Sequence, residues 1–127
     1  MTPQVPAVLA ELSSLLMKNA QPGVPEAERV SDLGLSAMLL AVTAEIWDRQ
    51  AAILVEENRA VRALLGQVGD DPDLRLSALQ AENNRLRAAL VDAHAAAETV
   101  GDTARQDAIW AELLASTERR KLTSAPV

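Results

Sequence analysis

Residues 56–65 read EENRAVRALL and residues 81–90 read AENNRLRAAL, a repeat 25 positions apart on which the reading of the whole chain turns. Superposing the copies aligns Leu54 with Leu79, Glu57 with Glu82, Asn58 with Asn83, Val61 with Leu86, Arg62 with Arg87 and Leu65 with Leu90. Steps of four and three from Leu40 pass through Ala44, Trp47, Ala51, Leu54, Asn58, Val61 and Leu65. The same stepping from Leu76 passes through Leu79, Asn83, Leu86, Leu90, Ala93 and Ala97. Apolar residues at that spacing mark one face of a helix, so each copy predicts a helix with a coiled-coil-like seam interrupted by a single asparagine.

Between the copies, GQVGDDPD (66–73) reads as a turn. Gly66 closes one helix, Asp71 caps the next and Pro72 takes its first position. Facing positions of an antiparallel hairpin have a constant sum, and closing the turn on Leu65 and Leu76 brings Asn58 opposite Asn83. The pair then serves as a register device, because sliding the hairpin strands each buried amide at a cost of about 1–3 kcal/mol per group. On that reading, replacing both asparagines by leucine leaves the protein folded and raises its stability at the cost of register. A ligand pocket or a pairing across a dimer interface are the other uses open to them. Arg59, Arg62, Arg85 and Arg87 alternate with Glu56, Glu57 and Glu82 and read as solvated flanks making ion pairs, which excludes a DNA-reading basic region.

Working outward, the composition supports helices throughout. The chain has 127 residues, 49% of them hydrophobic, with two Trp and no Phe or Tyr, and the apolar share is mainly Ala, Leu and Val. Pro6 suits the first turn of a helix over 5–19, with Val8, Leu9, Leu12, Leu15 and Leu16 on one face. After NAQPGVP (19–25), Pro25 with Glu26 and Glu28 opens a long helix over 25–65, with Ser31 and Gly34 as the place for a kink or for the end of a separate short helix. A third helix covers 72–99. TVGDT (99–103) places Gly101 as a stop and Asp102 as a cap, and a fourth helix covers 103–121, ending in ERRK; the tail 122–127 reads as frayed. The expected fold is one all-α domain, 1–127, an antiparallel up-and-down bundle of about four helices with one long central helix.

Several function classes fall away. A net charge of −6 repels phosphate backbones, so no nucleic-acid partner is expected. With no Cys there is no thiolate metal site and no cysteine nucleophile. The amino terminus lacks a basic segment before its apolar residues, which predicts a cytoplasmic chain. The most apolar run, LGLSAMLLAVTAEIW (33–47), is shorter than the ~20 residues of a membrane span and reads as a buried helix segment. No nucleotide, phosphate or nucleophile-elbow motif occurs, and no cofactor is implied.

His94 is the single histidine. With Glu98 one turn on it forms a minimal metal pair, and the antiparallel register sets it level with Trp47. Trp47 and His94 are thus the residues of an alternative reading, a small-molecule-binding or catalytic bundle, with Glu45 or Asp48 as the nearest acid–base partners. The leading reading is association. Leu35, Met38, Leu39, Val42 and Ile46 point in several directions from the long helix, and Ile109, Trp110, Leu113 and Leu114 of the last helix cover part of it. The remainder predicts an interface, most simply a homodimer.

The order of a short apolar helix, a Pro/Gly loop, a long helix ending in RALLG, a leucine-rich helix and a closing ELLASTERRKL resembles a small bacterial all-helical family. That family is encoded beside aminoglycoside-phosphotransferase-like kinases and acyl-CoA dehydrogenases. The resemblance implies an accessory role next to a metabolic enzyme, with no catalytic residues to carry over.

Overall fold

In the computed structural model, which describes residues 5–123 apart from the side chains of residues 19–21 and 30, the chain is all-α. Four helices are present and no strand occurs among the described residues. Helix α1 spans Val5–Leu15 and passes into a wide π-type turn at Leu16–Ala20. Helix α2 spans Glu26–Leu65, α3 Leu76–Val100 and α4 Thr103–Arg120. Of the tail expected to fray, the part beyond Thr123 lies outside the described residues.

Where a kink or a break was expected, α2 carries a second π-type turn, Arg29–Leu33, and then runs unbroken over Gly34–Leu65. Gly34 keeps helical angles, φ −61° and ψ −47°. A β-carbon there would meet the Arg29 carbonyl oxygen at 3.2 Å, so the widened turn and the glycine go together. At the other end Gly66 adopts φ 66°, and the amides of Gly66 and Gln67 donate to the carbonyls of Ala63 at 3.2 Å and Arg62 at 2.9 Å. These bonds satisfy helix-end carbonyls that would otherwise lack partners. Gly101, at φ 71°, closes α3 in the same way, and the Asp102 carboxylate accepts from the Arg105 amide at 3.0 Å to cap α4.

The chain expected to form one domain divides into two compact units, Met1–Arg49 with Leu122–Val127, and Gln50–Lys121. In the first, α1 lies along the early part of α2, where the Ser13 hydroxyl donates to the Ala37 carbonyl at 2.8 Å. The Thr123 amide donates to both Glu45 oxygens, at 2.9 and 3.1 Å. Among this unit's described residues only Ala37 and Ala44 are buried hydrophobics. The stretch 33–47 is therefore not a buried helix within this chain: Leu35 is 51% exposed, Leu39 52% and Trp47 62%. Two paired helices offer one contact face each and cannot enclose a helix that is apolar nearly all round.

The second unit holds a closed core. Val61, Leu86, Leu90 and Ile109 form a buried cluster, with Leu64, Leu65 and Leu113 packed against it. Ile109 and Leu113 thus belong to this core, while Trp110 and Leu114 are exposed.

The helix directions differ from the expected hairpin in one place. Helix α4 runs antiparallel to α3, since Ser116 meets Arg87 while Trp110 meets His94. It also runs antiparallel to α2, since Ser116 bonds to Glu57, Ile109 clusters with Val61, and Arg105 reaches the Leu64 carbonyl. Two helices that both oppose α4 must run the same way. Helices α2 and α3 are therefore parallel, and the two copies of the repeat lie side by side, Val61 and Leu65 in one cluster with Leu86 and Leu90.

A parallel pair needs a connection that returns the chain to the level at which α2 entered the unit. Residues 66–75 supply it: about ten extended residues reach ~33 Å, more than the ~21 Å of helix to be retraced. Leu74 and Val55 line one surface recess, consistent with this return path. Helix α3 accordingly begins at Leu76 and not at Pro72, and Asp71 does not cap it. Asp71 instead accepts from Arg62 at 2.6 Å and from Asn58 at 3.1 Å, fastening the returning segment to α2.

Candidate functional site

The two asparagines of the repeat meet in the second unit, Asn83 Nδ2 donating to Asn58 Oδ1 at 3.0 Å. Both are buried, with exposures of 0% for Asn58 and 1% for Asn83. Asn58 also donates to the Leu79 carbonyl at 3.4 Å, so its amide ties together α2, α3 and, through Asp71, the connecting segment.

Around this pair the structure assembles a polar layer. Glu57 is 1% exposed. Its carboxylate accepts two bonds from Arg120, at 2.7 and 2.6 Å, one from the Ser116 hydroxyl at 2.8 Å and one from Asn83 at 3.3 Å. Arg87 Nη1 approaches it at 3.4 Å. Burial pushes the Glu57 carboxyl up, but the bonds from Arg120 and Ser116 and the Arg120 charge outweigh burial and hold it below the usual carboxylate range. A carboxylate so surrounded has no proton to donate and no lone pair left for a substrate. Its chemistry is that of a structural anchor joining three helices.

Arg62 belongs to the same layer and is only 7% exposed, so the reading of Arg62 and Glu57 as solvated flanks does not hold. The parallel packing turns these positions inward, where Arg62 bridges Asp71 and Glu82, the latter at 2.9 Å. Glu82 is held at about 2, first by its bonds from Arg85, with burial opposing and Arg62 adding to the depression. Arg85 itself lies on the surface, as expected for a flank.

Sequence reading missed Glu57, Asp71, Ser116 and Arg120 as members of this layer. A signal was available in α4. Stepping by four and three from Ile109 passes through Leu113, Ser116 and Arg120, so the inward seam of the last helix turns polar at the level of the asparagines.

His94 meets a different indole from the one expected. Its ring packs edge-on against Trp110, with centroids 5.7 Å apart and planes at 89°. The expectation of Trp47 beside His94 rests on the antiparallel register and falls with it, since in the parallel pair position 94 is level with residues beyond Leu65. Nδ1 of His94 is 3.8 Å from Glu98 Oε1, and Nε2 is buried without a hydrogen-bond partner among the described residues. Among the described residues no group of three or more His, Asp or Glu side chains is placed to hold a metal ion. Glu45, named with Asp48 as an acid–base candidate, bonds Arg49 and the Thr123 amide within the first unit.

The residues expected at an interface stand out differently. Leu35, Met38, Leu39 and Ile46 are 36–52% exposed and Val42 is half-buried. At about 100° per residue, Leu35, Leu39, Val42 and Ile46 fall within roughly 60° of one another around α2. They lie diametrically opposite the buried Ala37 and Ala44. By length and composition α2 is also apolar enough to cross a membrane, and little of its most apolar stretch is buried.

No protein-family model, curated protein or solved structure matches this chain.

Proposed function

We propose that this protein is a non-enzymatic helical association module. Its first unit pairs with a second copy through the stripe Leu35, Leu39, Val42 and Ile46, and its second unit acts as a rigid support. One observation carries the reading: an apolar stripe at coiled-coil spacing lies on the side of α2 away from the residues the chain buries itself. Large apolar patches of that kind mark interaction surfaces, and a stripe that repeats along one helix is self-complementary under a twofold axis. Neighbouring Met38 widens the contact. The accessory role beside a metabolic enzyme fits the same surface as a heteromeric variant.

The test is the oligomeric state. Light scattering at micromolar concentration is expected to show a dimer, and Leu39→Glu with Ile46→Glu a monomer with unchanged helical content. A monomeric native chain that co-sediments with neutral phosphatidylcholine vesicles would transfer the stripe to a lipid surface and overturn the dimer. A monomer that leaves vesicles alone would overturn it equally.

A further inference from the structure

We propose that the second unit binds a small carboxylate with an apolar body in the groove between α3 and α4, with Arg87 as the anion-recognising residue. The groove has a volume of about 170 Å³ and is lined by Arg87, Leu90, Val91, His94, Ile109 and Leu113. That is close to the roughly 150 Å³ that accepts benzene in an engineered apolar cavity. Four of its six lining residues are aliphatic, and Arg87 brings a positive charge to them.

Arg87 is a surplus cation. The Glu57 carboxylate beside it is already taken by the close double bond from Arg120, by Ser116 and by Asn83. What reaches Arg87 is long, 3.4 Å to Glu57 and 3.3 Å to the Ser116 hydroxyl, and both contacts use Nη1 alone. Its Nε and Nη2 have no hydrogen-bond partner among the described residues, and the side chain is 40% exposed. A guanidinium edge with two unused donors matches the geometry of a carboxylate, which it holds bidentately. His94 contributes a second wall, its ring held edge-on against Trp110. The Glu98 carboxylate, 3.8 Å from His94 Nδ1, opposes a multiply charged ligand. A single negative charge on a compact apolar body satisfies all of these constraints.

The site lies wholly in the second unit and is independent of the dimer, so either reading survives failure of the other. The experiment uses the full chain carrying Trp47→Phe, which leaves Trp110, packed on His94, as its one fluorophore. Benzoate is titrated against its uncharged isostere benzamide and against inorganic phosphate, with calorimetry alongside fluorescence. Saturable benzoate binding is expected, weakened about tenfold or more in benzamide and in the Arg87→Gln variant. Phosphate should bind no better than benzamide. Val91→Phe, which fills the groove from its exposed rim without touching the polar layer or adding a second indole, should abolish binding while the melting temperature stays unchanged. Benzamide binding as tightly as benzoate, full binding by Val91→Phe, or no saturable binding of benzoate would each overturn the proposal.

Discussion

The second unit buries two asparagines, a glutamate and an arginine, whereas the first leaves leucines, an isoleucine and a tryptophan in solvent. The difference is one of enclosure. Three helical segments surround the layer at Asn58, so every polar group there finds a partner from another helix. Two paired helices in the first unit leave a face of α2 open, and hydrophobicity alone does not bury it. Chemical type therefore predicts burial poorly where the number of neighbouring helices differs along one continuous helix.

That contrast can be broken by mutation, and the largest effect is expected in the closed core. Leu86→Ala, at a position with 0% exposure, should cost about 2–5 kcal/mol in urea unfolding. Glu57→Leu comes next, at about 3 kcal/mol, because it strips partners from Asn83 and Ser116 and leaves Arg120 to seek solvent. A loss under about 1 kcal/mol would show that the polar layer rearranges freely and is no anchor.

Replacing Asn58 and Asn83 together by leucine should cost roughly 2 kcal/mol. This reverses the gain in stability expected from the pair alone, since Asp71 and Glu57 also lose a donor. A smaller effect is expected on acidification. Folded-state values of Glu57 and Glu82 lie below the ordinary 4.5, so their stabilisation is fully present above that pH. It should drain away as pH falls from about 4.5 toward the value of about 2 at Glu82. Urea midpoints measured through that range should drop, and more gently in Glu82→Gln.

The smallest effect belongs to the first unit. Leu39→Ser, at a residue 52% exposed, should change the stability of dilute chain by less than ~0.5 kcal/mol. If Leu39→Ser costs as much as Leu86→Ala in the monomer, the two units are not built differently after all.

Much of this was legible in the residues. The helix ends at Gly66 and Gly101 follow from a residue type that accepts positive φ, and the cap at Asp102 from a short carboxylate beside free amides. The meeting of Asn58 with Asn83 was expected from an antiparallel hairpin and occurs in a parallel pair, because the two hold matched places in two seams. Arg62 and Asp71 misled because a charged side chain near a turn looks the same whether it caps, floats in water or closes a buried ion pair. Its fate depends on what the returning chain brings alongside.

The repeat itself marks the boundary between the two sources of information. An apolar seam with one asparagine specifies that two helices pair and which layer holds the amides. It does not specify direction, because Asn58 faces Asn83 in the antiparallel hairpin and in the parallel pair alike. Direction was decided by the tertiary structure: a connection long enough to retrace α2, fastened by the Arg62–Asp71 ion pair, and a fourth helix whose Ser116 and Arg120 close on Glu57. Periodicity is a property of one helix and carries no sign; only contacts with a third element supply one.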